Sequence, residues 1–405
     1  MDRINRIGMK KQITLISFST PTFNNVRAAS ALPYHLIKGA KENEDIDFEI
    51  YSFNTNHIEA AGISKTEREL GVKIHMLKFP IFLTLILRFK LLFLRILMRY
   101  PLYTCLNIDK ATAKRITDSN PDLIWIYGEE LARLAKLFPN HKRIVTMPDC
   151  ESMYYYRMLA KQFATGTLAQ TMRYAYAYSQ FKRMDRDFFS GNVKYHFVGS
   201  ADVDFYKEIN PDADAVFLRH PLYEVNADKK IEFHRPKIKL LFAGQYNLLC
   251  QNGSDAILEA MEKSPHLKEK YEIKFLGKGW EEWGRRLTDA GWVCSHMVFA
   301  PVYIDELQQH DIQINAIDVG TGTKGKVLDA ISNGLLEIGT PVALENIAVK
   351  SREGCIVYHS VSEAIETLND IPENIAKYEA MAECGRKNVL QAHSRKTIAK
   401  QFFNL

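Results

Sequence analysis

Residues 315–334 read "NAIDVGTGTKGKVLDAISNG". From Gly320 to Lys326 the spacing is G-x-x-x-x-G-K, one residue short of a Walker A loop. Val327 stands where a Ser or Thr must offer a hydroxyl to Mg²⁺. The glycines also come after several strands of the second half of the chain. Both points argue against a P-loop nucleotidase. What remains is a glycine-rich turn entering a helix from about Gly325 to Asn333, with Val327, Leu328 and Ile331 toward a core. Gly320, Gly322 and Gly325 carry no side chain, so backbone N–H groups there can approach a ligand. The helix N-terminus has partial positive charge suited to a diphosphate, and Lys324 and Lys326 add full charges. A plain turn with two solvated lysines is the competing reading.

Outward from this turn, apolar runs alternate with helical patterns. Strands are expected at 238–245, 271–279, 296–302, 311–317, 335–340 and 354–358, with a helix from about Ser254 to Lys263. Glu337 is a charge inside one of these apolar runs. The first half repeats the pattern, with strands at 12–19, 47–54, 122–128, 143–149, 193–200 and 215–221 and a helix from Ala28 to Lys41. Between the halves, "LYEVNADKKIEFHRPK" (222–237) is polar and irregular and reads as a linker. The expectation is an N-terminal domain over 1–221 and a C-terminal one over 238–373. A helix over about 374–405 should pack back on the first. Both are Rossmann-like domains with parallel sheets, facing each other across a cleft suited to a ligand.

Composition restricts the function classes. Net charge is +5 and no RNA-binding motif is present, so no nucleic-acid partner is expected. Six cysteines form no C-x-x-C pair and lie near no histidine at metal-ligand spacing, which suits free thiols in a reducing cytosol. The N-terminal apolar run is too short and too broken for a signal peptide. Three D-x-D triplets occur, Asp45–Asp47, Asp202–Asp204 and Asp212–Asp214. Asp202 reads as a helix cap and Asp212 as a turn residue, and no metal site is expected.

Residues 238–358 resemble the nucleotide-sugar domain of GT-B glycosyltransferases, most like glycosyltransferase family 4. "KLLFAGQYNLLCQNGSDAILEAME" is similar to the family's opening strand, glycine turn and helix. "YEIKFLGKGWEEW" is similar to its second strand with a G-x-G turn, and "MVFAPVYIDEL" to the segment flanking the base. "DIQINAIDVGTGTKGKVLDAISNGLLEIGTPVALEN" resembles the stretch carrying paired acids and then G-x-P-V-V, with Gly334 five residues after Asp329. "EGCIVY" matches the following strand, and residues 12–220 fit more weakly. The resemblance implies an α/β chain of GT-B architecture, with two facing Rossmann-like domains and an interdomain cleft. It implies a nucleotide-diphosphate sugar as donor substrate, no cofactor, no metal, and retention of anomeric configuration.

It also implies donor-site positions: Gly244, Gln245, Gly277, Val302, Thr321, Gly322, Thr323, Lys324, Lys326 and Asp329. The chain departs from the family pattern at four of its positions. Thr321 replaces the first acid, Asp329 is shorter than the usual Glu, and the basic pair that grips phosphate reads Gln245 and Asn252. Lys324 and Lys326 are expected to replace that pair, and Asp329 to reach the donor ribose. On the acceptor side the resemblance implies the first loop, with Asn24, Asn25 and Arg27. Asp149, at the C-terminal edge of a strand, is the candidate base for an acceptor hydroxyl, or a helix cap.

One further stretch is unusual. Residues 79–103, "FPIFLTLILRFKLLFLRILMRYPLY", are nearly all Leu, Ile and Phe. On a single helix Thr84, Arg88, Arg95 and Arg99 fall within about 40° of one line. That suits an interfacial helix on anionic lipid, or a core helix at a domain surface. The aromatic and basic segment 153–189 can extend the same surface. The chain is therefore expected to be a cytoplasmic enzyme held peripherally on the inner face of the membrane. It would transfer a sugar to a lipid-linked or membrane-proximal glycan in bacterial surface polysaccharide assembly. A nucleotide-sugar epimerase of the same fold, or a non-catalytic glycan-binding or scaffold subunit, is the rival.

Overall fold

The computed structural model describes residues 10–42, 46–225 and 228–405. The chain forms two units, one running to Pro221 and regaining Arg395–Leu405, the other formed by Leu222–Ser394. Each is built on its own sheet, and every strand pair among the described residues is parallel.

The first unit begins β1 (Lys11–Ser17), α1 (Ala31–Lys41), β2 (Ile46–Ser52), α2 (Ala60–Leu70) and β3 (Lys73–Met76). It continues through α3 (Ile81–Arg88), α4 (Lys110–Asp118), β4 (Leu123–Tyr127) and β5 (Arg143–Thr146). Then come α5 (Glu151–Thr165), α6 (Leu168–Phe188), β6 (Lys194–Phe197), α7 (Ser200–Ile209) and β7 (Asp214–Phe217). The sheet order is β3-β2-β1-β4-β5-β6-β7. The central strand β4, "LIWIY", is buried along its whole length because helices cover both faces. Its Ile124 and Ile126 join one core layer with Leu83, Leu131 and Phe197. Leu123 and Trp125 join the other with Leu36, Ile37 and Phe402. This is the period-two alternation of a strand between two layers.

The second unit contains β8 (Ile238–Ala243), α8 (Gln251–Glu262), β9 (Tyr271–Leu276), α9 (Glu281–Asp289), β10 (Cys294–Met297) and α10 (Tyr303–Leu307). It closes with β11 (Ile312–Asn315), α11 (Gly325–Ser332), β12 (Leu336–Gly339), β13 (Ile356–Val357), α12 (Val361–Asp370) and α13 (Ile375–Ala392). The order is β10-β9-β8-β11-β12-β13. A final helix, α14 (Arg395–Phe403), belongs to the first unit. The α/β expectation of two parallel-sheet domains is met.

Three details correct the sequence reading. The helix expected over 374–405 is two helices. Tyr378, Met381 and Val389 of α13 are buried in the second unit, and only α14 packs on the first, with Phe402 and Phe403 against Trp125. A Cβ added to Gly39 of α1 would lie 2.6 Å from the Arg395 carbonyl, so that glycine allows α14 its close approach. The segment read as a linker is pinned to the second unit. Phe233 is buried there, its N–H donates to Glu379, and His234 Nδ1 lies 2.8 Å from Asp311 Oδ1. Residues 79–103 are not one helix. α3 ends at Arg88, Lys90 takes a left-handed φ of 55°, and short 3₁₀ turns follow at Leu92–Leu97 and Leu102–Cys105. Apolar side chains on all sides cannot be buried by one straight helix. The turn lets Leu83, Ile86, Leu91 and Leu94 reach the core, and it takes Arg95 and Arg99 off the line of Arg88.

Candidate functional site

In the second unit the chain leaves β8 toward β9 on one side and returns to β11 on the other, so the strand order reverses between β8 and β11. Ligands of open parallel sheets bind at the carboxyl ends of the strands at such a point. A cavity lies there, lined by residues 242–245 and 314–317 at the strand ends, with Asn247, Cys250, Ser254, Trp280, Lys324, Gly325 and Lys326.

The cavity floor is a glycine turn at Gly244, backed by a second at Gly277. Gly244 and Gly277 follow β8 and β9 with φ of 125° and 140°. A Cβ on Gly277 would fall 2.1 Å from the Gly244 carbonyl oxygen, so only glycine permits the two turns to touch. The Gly244 N–H donates to Leu276 O at 2.8 Å, and Trp280 Nε1 donates to Gly244 O at 2.8 Å, fixing the indole at the cavity wall. Gly277 thus acts behind Gly244 rather than on the cavity surface.

The opposite wall is the N-terminus of α11. Its first backbone N–H groups have no acceptor within the helix. A Cβ on Gly325 would meet nothing within 4 Å, so the approach to these donors is open. Gly320 has a different reason. A Cβ there would lie 3.2 Å from Lys324 Cε, so Gly320 makes room for the lysine and not for a ligand. The loop wraps its own ammonium: Lys324 Nζ donates to Thr321 O and Gly322 O, each at 3.1 Å, and lies 3.6 Å from Glu345 Oε2. Asn346 Nδ2 holds the same Gly322 carbonyl at 2.9 Å, and Gly322 has φ 59°. Lys326 stands differently. Its Nζ is 5.1 Å over the Tyr303 ring, its Cδ would be 3.7 Å from a Cβ on Gly244, and crowding by protein lowers its pKa.

The structure therefore gathers Gly244, Gln245, Lys324 and Lys326 around one cavity, with Thr321, Gly322 and Thr323 in the loop above it. Asp329 lies one helical turn on and does not line the cavity. Burial raises its carboxyl to about 7, Lys326 opposes that, and Glu224 adds to it. Val302 is exposed at the start of α10, outside the cavity. Asn252 is exposed on α8. Sequence reading missed Asn247, Cys250, Ser254, Trp280 and Asn315 on the cavity wall, and Glu345 behind it. "GKGWEEW" was a signal for Trp280, since a residue three after the βα glycine Gly277 is near the sheet edge. Nothing local marks Glu345.

Behind α11 is a buried acid. Glu337 on β12 pairs in register with Gln313 on β11 and has no exposed surface. Burial pushes its carboxyl well above the usual carboxylate range. An isolated carboxyl in a parallel core strand is tolerated only in its neutral form.

In the first unit the strand order reverses between β1 and β4. The loop after β1 carries Asn24, Asn25 and Arg27, all exposed, with Arg27 at φ 59°. Asn25 Oδ1 accepts from the Ala31 N–H at 2.9 Å and so steadies the start of α1. Asp149 follows β5 and precedes α5, half-buried. Beside it the structure collects acids that sequence reading did not assemble. Glu129 follows β4, and Asp185 of α6 receives the Ser152 hydroxyl. Both are buried, and burial followed by the charge of Asp185 raises Glu129 well above its usual range. Glu151 is raised to about 8, first by burial and then by Asp149. Their signal was the acid pairs directly after two strands, "GEEL" and "PDCES". Asp202 Oδ1 accepts from the Cys150 N–H at 2.7 Å, tying α7 to the turn before α5. Asp214 pairs with Lys194 at 2.7 Å, and Asp45 lies outside the described residues.

No family model and no curated protein matches the sequence. Solved structures match across nearly the whole chain. HepE of Anabaena, crystallised with UDP, is 12% identical with a TM-score of 0.60, covering 97% of this chain and 98% of its own. A glycosyltransferase of Rickettsia africae is 11% identical with a TM-score of 0.62, covering 98% and 97%. TarM, known from S. aureus, is 10% identical with a TM-score of 0.61, covering 98% and 99%. At such identities the likeness establishes the fold, and the fold is GT-B.

Proposed function

We propose that the chain is a glycosyltransferase that takes a sugar from a nucleoside diphosphate donor seated in the cavity of the second unit. The observation that carries this is the α11 N-terminus, open at Gly325 and flanked by Lys324 and Lys326, at the strand-order reversal of a GT-B fold. Fixed donors aimed at a diphosphate stabilise the charge that develops as it departs, which is most of what this chemistry needs. HepE has been crystallised with UDP-glucose, and TarM with UDP and α-GlcNAc-glycerol. Those ligands support a nucleotide-sugar donor and a glycan acceptor for this chain.

The finer reading follows. The acceptor is a lipid-linked or membrane-proximal glycan of surface polysaccharide assembly, the anomeric configuration is retained, and no metal is used. Asp149 contacts the acceptor hydroxyl, beside the protonated Glu151. Asn24, Asn25 and Arg27 belong to the acceptor side. Asp329 reaches the ribose. Residues 79–103 rest on the inner face of the membrane. Incubation of the full chain with a panel of nucleotide sugars, measuring free nucleoside diphosphate, tests this. Slow hydrolysis of one donor is expected. An isomerised donor would make the chain an epimerase, and no turnover or binding would leave a scaffold.

A further inference from the structure

Most of the exposed large apolar side chains among the described residues lie in the first unit, on two separate stretches of chain. Leu97 of the 3₁₀ turn, Leu168 at the start of α6 and Phe163 near the end of α5 are 80%, 77% and 74% exposed. Phe82, Phe89, Phe93 and Ile96 lie alongside in sequence from α3 onward, and Met172 follows Leu168 by one helical turn. The two stretches are joined. The Tyr176 hydroxyl lies 2.6 Å from the Ile96 carbonyl, and Gln180 Nε2 donates to the Met98 carbonyl at 2.6 Å. Leu168, Met172 and Tyr176 are spaced by four and share one face of α6. The face that holds the 92–98 turn is thus continued outward by bare leucine and methionine. The hairpin tip is firmly made: a capping box at Thr167 and Gln170 starts α6 directly after α5 ends.

Charge selects the occupant. Residues 78–108 and 152–184 together contain ten lysines and arginines and no aspartate or glutamate, in a chain whose acids nearly balance its bases. Arg99 is engaged by Asp187 at 2.9 Å. Arg88, Lys90, Arg95 and Arg173 are exposed around the apolar side chains. A protein partner of ordinary composition would be met by charges of both signs. A surface of single sign with large bare apolar groups fits an anionic bilayer, where acyl chains take the apolar groups and headgroups the cations. No helix among the described residues is long and apolar enough to cross a membrane, so the surface lies on the bilayer.

We propose that the α3–3₁₀ segment and the α5–α6 hairpin form one docking surface for anionic phospholipid, with the hairpin tip at Phe163–Met172 inserting. This deepens the proposed function, which gave the contact to 79–103 alone, and rests on it only for the purpose of docking. The test is flotation of the full chain with phosphatidylcholine vesicles, with and without phosphatidylglycerol, at low and high salt. Wild type should float only with phosphatidylglycerol and release in salt. Arg173→Glu should weaken partition by about fivefold or more, the worth of one cation at such a surface. Leu168→Ser with Met172→Ser should weaken it further, although 79–103 is untouched. Hydrogen exchange of the wild type should show slower exchange at 160–176 on anionic vesicles, which reads the hairpin without any variant. Equal flotation with phosphatidylcholine alone, hairpin variants that float like wild type, or exchange at 160–176 unchanged by vesicles would overturn the proposal. Nucleoside diphosphate titration of the same samples separates the two readings. Flotation without nucleotide binding leaves the surface standing and removes the transferase.

Discussion

Lys324 and Lys326 stand two residues apart, and their replacement should have different consequences. Lys326 has no carboxylate partner at salt-bridge distance among the described residues, and desolvation by the surrounding protein lowers its pKa. A bound diphosphate repays that cost. Lys326→Ala should lose one charge-assisted contact, about 1.5–3 kcal/mol or roughly 10- to 150-fold in Kd. Lys324 is half of a pair. At 3.6 Å from Glu345 and an effective dielectric of about 20, the attraction is about 4.6 kcal/mol before desolvation. Lys324→Ala therefore removes a cation and also its ion pair with Glu345, so the carboxylate behind the anion site is less well compensated. It should weaken nucleoside diphosphate binding more than Lys326→Ala does. Adding Glu345→Gln to Lys324→Ala should restore at least about 1 kcal/mol. Isothermal titration of the two single variants and the double is the assay. A double variant that binds no better than Lys324→Ala would refute the coupling. If Lys326→Ala binds as tightly as wild type, the diphosphate is not at α11.

Three other outcomes are expected. Turnover should survive EDTA, because a helix N-terminus and lysines neutralise the donor; loss of activity restored by manganese would point back to the D-x-D triplets. Diphosphate affinity should fall as pH rises through about 7, the raised value of Asp329, because a bound anion holds that carboxyl protonated, and Asp329→Asn should flatten this segment of the profile. Glu337→Gln should stabilise the fold at neutral pH. A carboxyl raised in the folded state favours folding below its unfolded pKa and loses that advantage as pH rises, by about 1.4 kcal/mol per unit, so urea denaturation of the variant should show a gain that grows from pH 5 upward and is absent near pH 4.

The fold was legible because parallel strands covered on both faces are written as apolar runs, and most of the expected strands occur. β3, "KIHM", was unread because polar and charged residues interrupt it at the sheet edge. The run expected at 335–340 is the strand Leu336–Gly339, and Pro341 and Val342 lie in a turn, so the G-x-P-V-V likeness did not fall on the strand itself. For 79–103 the periodicity misled. A segment apolar on every side carries no phase, and Lys90 enters the left-handed region with no glycine or proline to announce it. In the site, Gly244, Gln245, Lys324 and Lys326 could be read from spacing because the fold repeats its βα turns at fixed intervals. Glu345 and the pairing of Glu129 with Asp185 could not, since each depends on a tertiary contact whose partner is distant in sequence.

The central claim is that the cavity walled by Trp280, Gly244 and the α11 N-terminus holds a nucleoside diphosphate. Trp280 lines it directly and is tied to Gly244 O, so its fluorescence reports occupancy. Titration with UDP, GDP and ADP should give saturable quenching by at least one of them. Trp280→Phe should abolish that signal while calorimetry still detects binding. Absence of binding by all three at millimolar concentration, or quenching that persists unchanged in Trp280→Phe, would contradict the assignment of this cavity as the donor site.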